Sequence, residues 1–438
     1  MELILAAIIF IVTIFFIIIG IIDRAIVAVL GAISMVLFGI VTEIEAFHLI
    51  DWNIIGILFG IWIIAIYFNK TGIPEALAKK LAEISGHETP LFISLLGLLA
   101  GFLSTFLDNV IVVLMMASIM VPLLKRMKLR VAPFVIFTAL CANFMGSALL
   151  LGDLPPQMLH SVAGVEFLEF IWQAGRPSSF IILTVTFLIT VGIFHIFRFK
   201  KQFSTMDKEE LFQAANTHVV RVKNKMFAFG VVAIFAATIL AMAMRQFIGV
   251  ALGFIALTGA GTLMLLVEIL RKKSSAPKFD DILMDIDWKA ILFYISLFIL
   301  VGSIDKAGII MRISEWLLPL MSEPTMGATV LYWVTLPIVG IVEHDAYILT
   351  FLHVIKDMAG MLDPWPYYWI LLWAGTLGSN LTMVGAPALY VALNICEKED
   401  RVRVSLKEFF SYTIPFVLIS AFINYLLAMV IWILPGST

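Results

Sequence analysis

Ten long apolar segments, each near the length of a membrane-crossing helix, constrain this chain more than any other feature. They span residues 3–22, 25–41, 53–68, 131–151, 180–197, 226–244, 248–270, 288–304, 367–395 and 408–434. About 20 apolar residues cross the ~30 Å hydrocarbon layer of a bilayer. Hydrophobic residues make up 62% of the chain and charged residues only 14%, whereas soluble domains average about 45–50% and about 25%. The pattern predicts an all-α polytopic membrane protein with about ten transmembrane helices.

The rest of the composition excludes other classes. The net charge is −2, from 29 basic and 31 acidic residues, so overall charge indicates no nucleic-acid partner. Cys141 and Cys396 both lie inside apolar segments. A cysteine in such a place is typical of a small core residue, and no disulfide framework follows.

Two further apolar regions do not fit as single spans, because each has a polar centre. Residues 89–124 contain Asp108 and Asn109, and residues 327–355 contain the run EHD at 343–345. Interrupted backbone at membrane depth is tolerated where it is buried in protein or lines a wet cavity. We therefore predict two re-entrant hairpins with these polar groups at their tips.

An internal repeat relates the two halves of the chain. The segment DWNIIGILFGIWIIAIYFNKTGI from Asp51 and the segment DWKAILFYISLFILVGSIDKAGI from Asp287 share seven identical positions at a constant offset of 236. The repeat predicts a first unit at 1–197 and a second at 226–438, separated by a basic linker at 198–225. The same offset aligns the polar tip of the first hairpin with residues 344 and 345. The later Gly-Ser and glycine positions of the two halves also follow one another in order.

Loop charges predict the orientation, because Lys and Arg favour the cytoplasmic side. With the 198–225 linker inside, one side collects 24 of the 29 basic residues. The other side keeps Arg176, Arg245, Lys306, Arg312 and Lys356. Both termini are then outside, the first hairpin enters from the cytoplasm and the second from outside. Inverted repeats with discontinuous helices are typical of secondary transporters, whose sites lie at the midplane.

The motif FLDNV places Asp108 and Asn109 at the first hairpin tip. A carboxylate at the bilayer centre costs roughly 2.5–3.5 kcal/mol on insertion scales, so it needs a cation, a proton or a partner. This favours a cation site at Asp108. The alternatives are an aspartate bonded to backbone amides at the tip and an asparagine that caps it.

Two glycine-broken segments supply the other candidate residues. MGSALLLGDLPP contains Ser147, Gly152 and Asp153, and LGSNLTMVGAPALY is its partner in the second half. Freed carbonyls of a broken helix can coordinate a cation, and a new helix N-terminus can face an anion. Asp153 is alternatively a helix cap. The candidate residues of the second segment are Ser379, Asn380, Thr382 and Gly385, which are alternatively polar residues packed between helices.

The motif VEHDAY puts three consecutive ionisable residues at the second hairpin tip. Histidine is the side chain that titrates nearest neutral pH, so His344 is a candidate proton carrier and Asp345 can set its tautomer. A transition-metal site is also compatible with these residue types. The structural alternative is a His-Asp pair at the hairpin surface.

Taken together, FLDNV, GDLPP after a Gly-Ser break, and LGSNLTMVGAP resemble the ion transporter superfamily. The branch is that of arsenite permeases, NhaD-type sodium/proton antiporters and the melanosomal P protein, and the resemblance covers most of residues 50–430. It implies a dimer in which the hairpin-containing domain moves like an elevator.

The resemblance also implies two sodium sites that flank the substrate. The first would be formed by Asp108, Asn109 and the Gly152 loop, and the second by residues 344 and 345 with the Gly385 loop. The branch has an Asp-Asn pair at the second tip where this chain has Glu-His-Asp. That departure favours proton coupling there. The chain also lacks the asparagine that follows the Pro pair of GDLPP in the branch, which weakens the case for a carboxylate substrate.

These observations predict a secondary active ion transporter in the plasma membrane, coupled to sodium or protons. Cation/proton exchange and transport of an anion such as arsenite or a small carboxylate fit equally well. An ion channel on the same scaffold is the main alternative. An enzyme is not expected, because Gly152 and Asp153 lack the second glycine of the aspartyl protease signature and EHDAY is not HExxH. The expected partners are the lipid bilayer, a small ion and a second copy of the chain, with bound Na⁺ in place of any cofactor. No Arg or Lys is expected at the midplane, which argues against a multiply charged anion.

Overall fold

The computed structural model describes residues 2–86, 88–203, 224–271, 277–401 and 403–436. The described residues are helical almost throughout, which confirms the all-α polytopic fold. Eight helices among them are long and apolar enough to cross a membrane: Glu2–Ile19, Trp52–Asn69, Asn109–Arg126, Ser179–Phe203, Lys225–Ala243, Leu252–Leu270, Trp288–Lys306 and Leu406–Ile433. Shorter apolar helices add to these. Most of the predicted 198–225 linker lies outside the described residues.

The first half begins with the helices that precede its hairpin, which we call the framework helices, and continues with a hairpin and a broken helix. Its helices are α1 (Glu2–Ile19), α2 (Arg24–Leu37), α3 (Glu43–Leu49), α4 (Trp52–Asn69), α5 (Ile73–Ile84), α6 (Thr89–Ser104), α7 (Asn109–Arg126), α8 (Ala132–Met145), α9 (Leu154–Ala163), α10 (Ser179–Phe194) and α11 (Lys200–Phe203). A 3₁₀ turn at Phe167–Phe170 and a two-stranded antiparallel ribbon, β1 (Trp172–Gln173) with β2 (Arg176–Pro177), join α9 to α10. A π-helical turn, His195–Phe199, joins α10 to α11.

The second half repeats this order. Its helices are α12 (Lys225–Ala243), α13 (Arg245–Ile248), α14 (Leu252–Arg271), α15 (Phe279–Met284), α16 (Trp288–Lys306), α17 (Ile309–Met321), α18 (Pro324–Val339), α19 (His344–Met358), α20 (Trp365–Ser379), α21 (Pro387–Asp400) and α22 (Leu406–Ala428). A π-helical turn (Met429–Ile433) and a 3₁₀ turn (Leu434–Gly436) follow.

The two predicted repeats share local detail at the starts of α4 and α16. Asp51 accepts a hydrogen bond from the Ile54 amide, and Asp287 accepts one from the Ala290 amide, each at 3.0 Å. Trp52 and Trp288 each donate from the indole nitrogen to a carbonyl five residues earlier. The same sequence pattern therefore produces the same helix start in both halves.

Four segments form the centre of the molecule. The first hairpin is α6 with α7, and the second hairpin is α18 with α19. The first broken helix is α8 with α9, and the second broken helix is α20 with α21. In each half the first hairpin arm packs on the first part of its own broken helix, while α7 packs on α21 and α19 packs on α9. The hairpins thereby bring both polar tips to the breaks of the two helices.

Around this centre, framework helices of one half pack on framework helices of the other half. Helix α14 of the second half packs on α4 of the first, and α2 of the first half packs on α16 of the second. Ion pairs tie distant segments together near the helix ends. They are Lys70 with Asp285, Lys125 with Glu399, Arg130 with Glu408 and Lys289 with Asp23 at one end, and Arg245 with Glu166, Lys306 with Glu45 and His353 with Asp305 at the other. None of these seven pairs joins a segment predicted to be cytoplasmic to one predicted to be external. Each pair therefore joins segments that were predicted to lie on one side, and the sidedness itself stays a prediction.

Candidate functional site

Asp108 ends the turn of the first hairpin and caps α7. Its carboxylate accepts hydrogen bonds from the Val110 amide at 3.0 Å and the Ile111 amide at 3.1 Å. A carboxylate is stabilised there because the first amides of a helix lack partners and carry the positive end of its dipole. The bonded tip that the sequence left as an alternative is thus present, and the same carboxylate also faces a cavity.

Asn109, the first residue of α7, is buried and links the hairpin to the first broken helix. Its side-chain amide donates to Asn143 Oδ1 at 2.9 Å and to Asp153 Oδ2 at 3.0 Å. Asp153 uses its other oxygen to accept the Leu154 amide at 2.9 Å, as its alternative role as a helix cap requires. Asn109 and Asp153 therefore form one hydrogen-bonded network at the break.

Asn143 of α8 extends this network across the two halves. Its amide donates to Ser379 Oγ at 2.9 Å and to Asn380 Oδ1 at 3.2 Å. Ser147 contacts Thr376 of α20 through a hydroxyl pair at 2.6 Å. The neutral oxygens of the second broken helix, predicted as ligands, are bonded to the first broken helix in this structure.

Thr382 has a different contact, since its hydroxyl donates to the Gly340 carbonyl in the turn of the second hairpin. The Thr382 contact links the break between α20 and α21 to the second hairpin. The contacts of Ser379 and Asn380 with Asn143 link the same break to the first half of the chain. These are the interhelical polar contacts that the sequence left as the alternative to ion binding.

The two predicted glycines occupy matching cradles of backbone carbonyls. A Cβ atom built on Gly152 would lie 2.0 Å from the Ser104 oxygen and 2.5 Å from the Gly146 oxygen. One built on Gly385 would lie 2.6 Å from the Ser379 oxygen and 2.7 Å from the Val339 oxygen. In each case the carbonyls come from the end of a hairpin arm and the end of a broken-helix segment. Only glycine fits these positions.

The second hairpin tip is capped by Glu343, whose carboxylate accepts the Ala346 amide at 3.0 Å. His344 follows, and its Nε2 atom lies 3.2 Å from Asp345 Oδ1 and 3.9 Å from Asp153 Oδ2. Glu343 therefore takes the capping position that Asp108 has in the first hairpin. The constant offset aligned Asp108 with His344, so that alignment is wrong by one residue at the tip.

Several polar atoms of this second tip have no hydrogen-bond partner within the described part of the chain. They are both ring nitrogens of His344, Asp345 Oδ1 and Glu343 Oε1. All three side chains are buried, with 1% of His344, 1% of Asp345 and 2% of Glu343 exposed. Buried polar groups are almost always bonded, so this cluster is suited to a ligand.

A small cavity of about 100 Å³ lies between the two tips. Five of the predicted residues line it: Asp108, Asn109, Asp153, His344 and Asp345. The remaining six predicted residues do not line this cavity and lie at the breaks of the two helices. They are Ser147, Gly152, Ser379, Asn380, Thr382 and Gly385. Asp285, Asp287 at the N-cap of α16, and Tyr294 of α16 add further polar groups to the wall.

The expectation that no basic residue reaches the site is wrong. Arg24, the first residue of α2, also lines the cavity, and its Nη1 atom lies 3.6 Å from Glu343 Oε1. Its guanidinium lies over the Phe293 ring at 5.0 Å. Loop charge alone placed Arg24 at the membrane surface. Its neighbours at the second tip come from 319 positions away in the chain, and only the tertiary packing reveals them.

A wider cavity of about 510 Å³ adjoins the first and shares Arg24, Val110, Asp287, Ala290 and Pro387 with it. Lys289 and Tyr390 are among its other polar residues. Asp287 had a sequence signal, since it opens the repeated Asp-Trp motif, and Glu343 had one in VEHDAY. Asn143 had none beyond being an amide inside an apolar span.

Comparison with known proteins identifies a family for this chain. The family model described as "Citrate transporter" (CitMHS) matches residues 13–374. A 46 kDa membrane protein of Mycobacterium leprae is 26% identical over 89% of each chain, and an uncharacterized transporter of Mycobacterium tuberculosis is 24% identical over 86% of each.

The human P protein is 20% identical over 96% of this chain and 59% of its own length. This match confirms the resemblance to the branch that contains the melanosomal P protein. The family match extends from α1 into α20 and includes both hairpins and the first broken helix, so this integral membrane protein belongs to the citrate transporter family.

Proposed function

We propose that this transporter is a secondary active ion transporter in which a small cation, Na⁺ or H⁺, binds between the two hairpin tips. The observation that carries the proposal is the meeting of Asp108, Asp153 and Asp345 in one cavity. They come from two hairpins and a broken helix, so occupation of the cavity by a cation would link the elements that alternating access must move.

The charges favour a cation. Asp285 and Asp287 also line the cavity, and Glu343 adds a sixth carboxylate beside it. The positive charge near it comes from Arg24, from Lys70 paired with Asp285 and, when protonated, from His344. Burying unpaired carboxylates costs several kcal/mol each. A bound cation or proton offsets that cost, and an added anion would increase it.

The glycine cradles supply positions for Na⁺. Hard cations take oxygen ligands, and the carbonyls of Ser104 and Gly146 converge at Gly152 as those of Val339 and Ser379 do at Gly385. On this proposal the first cradle and the Asp108-Asn109 tip hold Na⁺. Proton coupling at His344 stays a prediction, as do the elevator motion, the dimer and the plasma-membrane location with both termini outside.

Anion transport is a second candidate, favoured by Arg24. The family that matches this chain is described as "Citrate transporter", and a guanidinium can bind a carboxylate through two hydrogen bonds. In this role an anion would enter through the wider cavity and take Arg24 from Glu343. The acidic lining requires that one or more cations accompany such an anion.

Flux into proteoliposomes tests the proposal. Purified protein is reconstituted, a Na⁺ or proton gradient is imposed, and uptake of Na⁺, Li⁺, arsenite and citrate is compared. We expect gradient-driven flux in the wild type and none in Asp108→Asn, because the amide retains the shape of the side chain but not its charge. Asp363→Asn, which changes an exposed carboxylate that does not line the cavity, is the control.

Two results would contradict the proposal. One is normal flux with unchanged ion dependence in Asp108→Asn. The other is passive single-channel current with no concentrative uptake, which would identify a channel.

A further inference from the structure

A cluster of ligand atoms at the second hairpin tip borders the same cavity as the proposed cation site and includes a histidine nitrogen. Carboxylate oxygens of Glu343 and Asp345 and a ring nitrogen of His344 lie within 4.8 Å of one another, and all three residues are buried. Four of their polar atoms have no hydrogen bond within the described residues, although each is shielded from solvent. A cluster of unpaired buried donors and acceptors is stable only with a partner.

Two of these residues, His344 and Asp345, together with Asp153 of the first broken helix, have a spacing that suits a first-row divalent metal. His344 Nε2 lies 3.2 Å from Asp345 Oδ1 and 3.9 Å from Asp153 Oδ2. Zinc bonds to nitrogen and oxygen are about 2.0–2.2 Å long, so neighbouring ligands of a tetrahedral zinc lie about 3.3 Å apart. The nitrogen and one carboxylate already meet this distance, and Asp153 has to approach the nitrogen by about 0.6 Å. The cavity of about 100 Å³ on which the three residues border leaves room for a water or substrate atom as the fourth ligand.

The surroundings provide the outer contacts that such a site needs. With Nε2 on the metal, Nδ1 carries the proton and faces Glu343 Oε1, now 4.0 Å away. Glu343 is itself held by the Ala346 amide and by Arg24. A carboxylate behind a metal-bound histidine fixes its tautomer and raises its basicity. Asn109 holds Asp153 from the other side at 3.0 Å.

We propose that Asp153, His344 and Asp345 form a binding site for a divalent transition-metal ion such as Zn²⁺, with Glu343 as the residue that orients the histidine. The imidazole ligand favours Zn²⁺ over Mg²⁺ and Ca²⁺, which prefer oxygen-only sites. The site shares Asp153 and Asp345 with the cavity of the proposed function. Its occupation is nevertheless a binding property that does not depend on transport.

The test is Zn²⁺ binding to the full chain purified in detergent, measured by titration calorimetry and by zinc X-ray absorption. We expect a stoichiometric site with one nitrogen ligand from the hairpin. His344→Gln and Asp345→Asn should each weaken it by more than about 100-fold, and Glu343→Gln by about 10–100-fold. A large excess of Mg²⁺ should not displace the zinc.

The matched control is His353→Gln, which changes the other histidine of α19 that lies near a carboxylate, Asp305, at 3.4 Å. It should leave Zn²⁺ binding unchanged, and size-exclusion profiles of all variants should match the wild type. Zn²⁺ affinity that is the same in His344→Gln as in the wild type would overturn the proposal, as would equal competition by Mg²⁺. Absence of flux in vesicles would leave this result untouched and would count against the proposed function alone.

Discussion

The two hairpin units share a backbone design but differ in how their polar side chains are satisfied. In both, an acid caps the second arm, and a glycine lies against carbonyls from the hairpin and the broken helix. In the first unit the Asn109 amide donates two hydrogen bonds and the Asp108 carboxylate accepts two. In the second unit, neither ring nitrogen of His344 has a hydrogen bond to any residue that the structure describes.

This difference indicates a division of roles. The first tip is organised before any ligand arrives, which suits a site that recognises an ion by fixed geometry. The second tip has buried polar groups without a hydrogen bond from the part of the chain that the structure describes, and it contacts the framework through Arg24. On the proposals above, the two tips are two kinds of site, because their few residues differ while the backbone cradle is the same.

The largest expected effect tests the shared cradle. Gly152→Ala and Gly385→Ala each force a methyl group against backbone oxygens 2.0–2.7 Å away. Backbone cannot move as a side chain does, so we expect both variants to lose transport and to unfold at lower temperature. Gly192→Ala in α10, where a built Cβ meets no atom within 4 Å, should behave like the wild type. A fully active Gly385→Ala would show that the two cradles are not equivalent.

The next effect concerns the network that joins the units. Asn143→Ala removes the acceptor of Asn109 and the donor to Ser379 and Asn380, all of them buried. Each buried group left unsatisfied costs about 1–3 kcal/mol, so we expect a loss of about 2–4 kcal/mol in unfolding free energy. Thermal unfolding in detergent measures it. A change below about 0.5 kcal/mol would mean that the units are not coupled through Asn143, since that is the range of an ordinary surface substitution.

A smaller effect is expected where the second unit meets the framework. Arg24→Gln leaves the buried Glu343 carboxylate without its cation, and the pair is 3.6 Å apart with a third of the arginine side chain exposed. We expect a loss of about 1–2 kcal/mol, less than for a fully buried pair, because solvent screens the arginine. The double variant Arg24→Gln with Glu343→Gln should be closer to the wild type than Arg24→Gln alone. Additive losses in this cycle would show that the two charges do not interact.

The smallest effect tests the framework outside both units. A hydrogen bond from Lys306 lowers the pKa of Glu45 to about 2. Because the folded-state pKa is below that of the unfolded chain, the pair stabilises the fold above about pH 4.5 and its contribution is lost as the pH falls towards 2. Glu45→Gln should therefore lower the unfolding temperature slightly at pH 7 and hardly at all near pH 2. An equal shift at both pH values would rule out the ion pair as its cause.

Much of the fold follows from local patterns in the sequence. Apolar runs indicated helices that the structure contains, and the Gly and Pro positions of GDLPP and VGAP indicated where α8 and α20 break. The acids at the tips marked the hairpin turns, because an unpaired helix N-terminus selects an acidic cap. The offset of the repeat failed at the second tip because hydrophobic segments tolerate a shift of one residue, whereas a capping position does not.

The sequence by itself determined that this chain is a helical membrane protein with two polar hairpin tips and two glycine-broken helices, since helix length, charge and backbone freedom are properties of neighbouring residues. Only the tertiary structure decided that Arg24 pairs with Glu343, that Asn143 joins the two breaks, and that Asp153 of the first half faces His344 of the second. These contacts join residues 191 to 319 positions apart. They depend on how the two halves exchange helices, and no local pattern records that geometry.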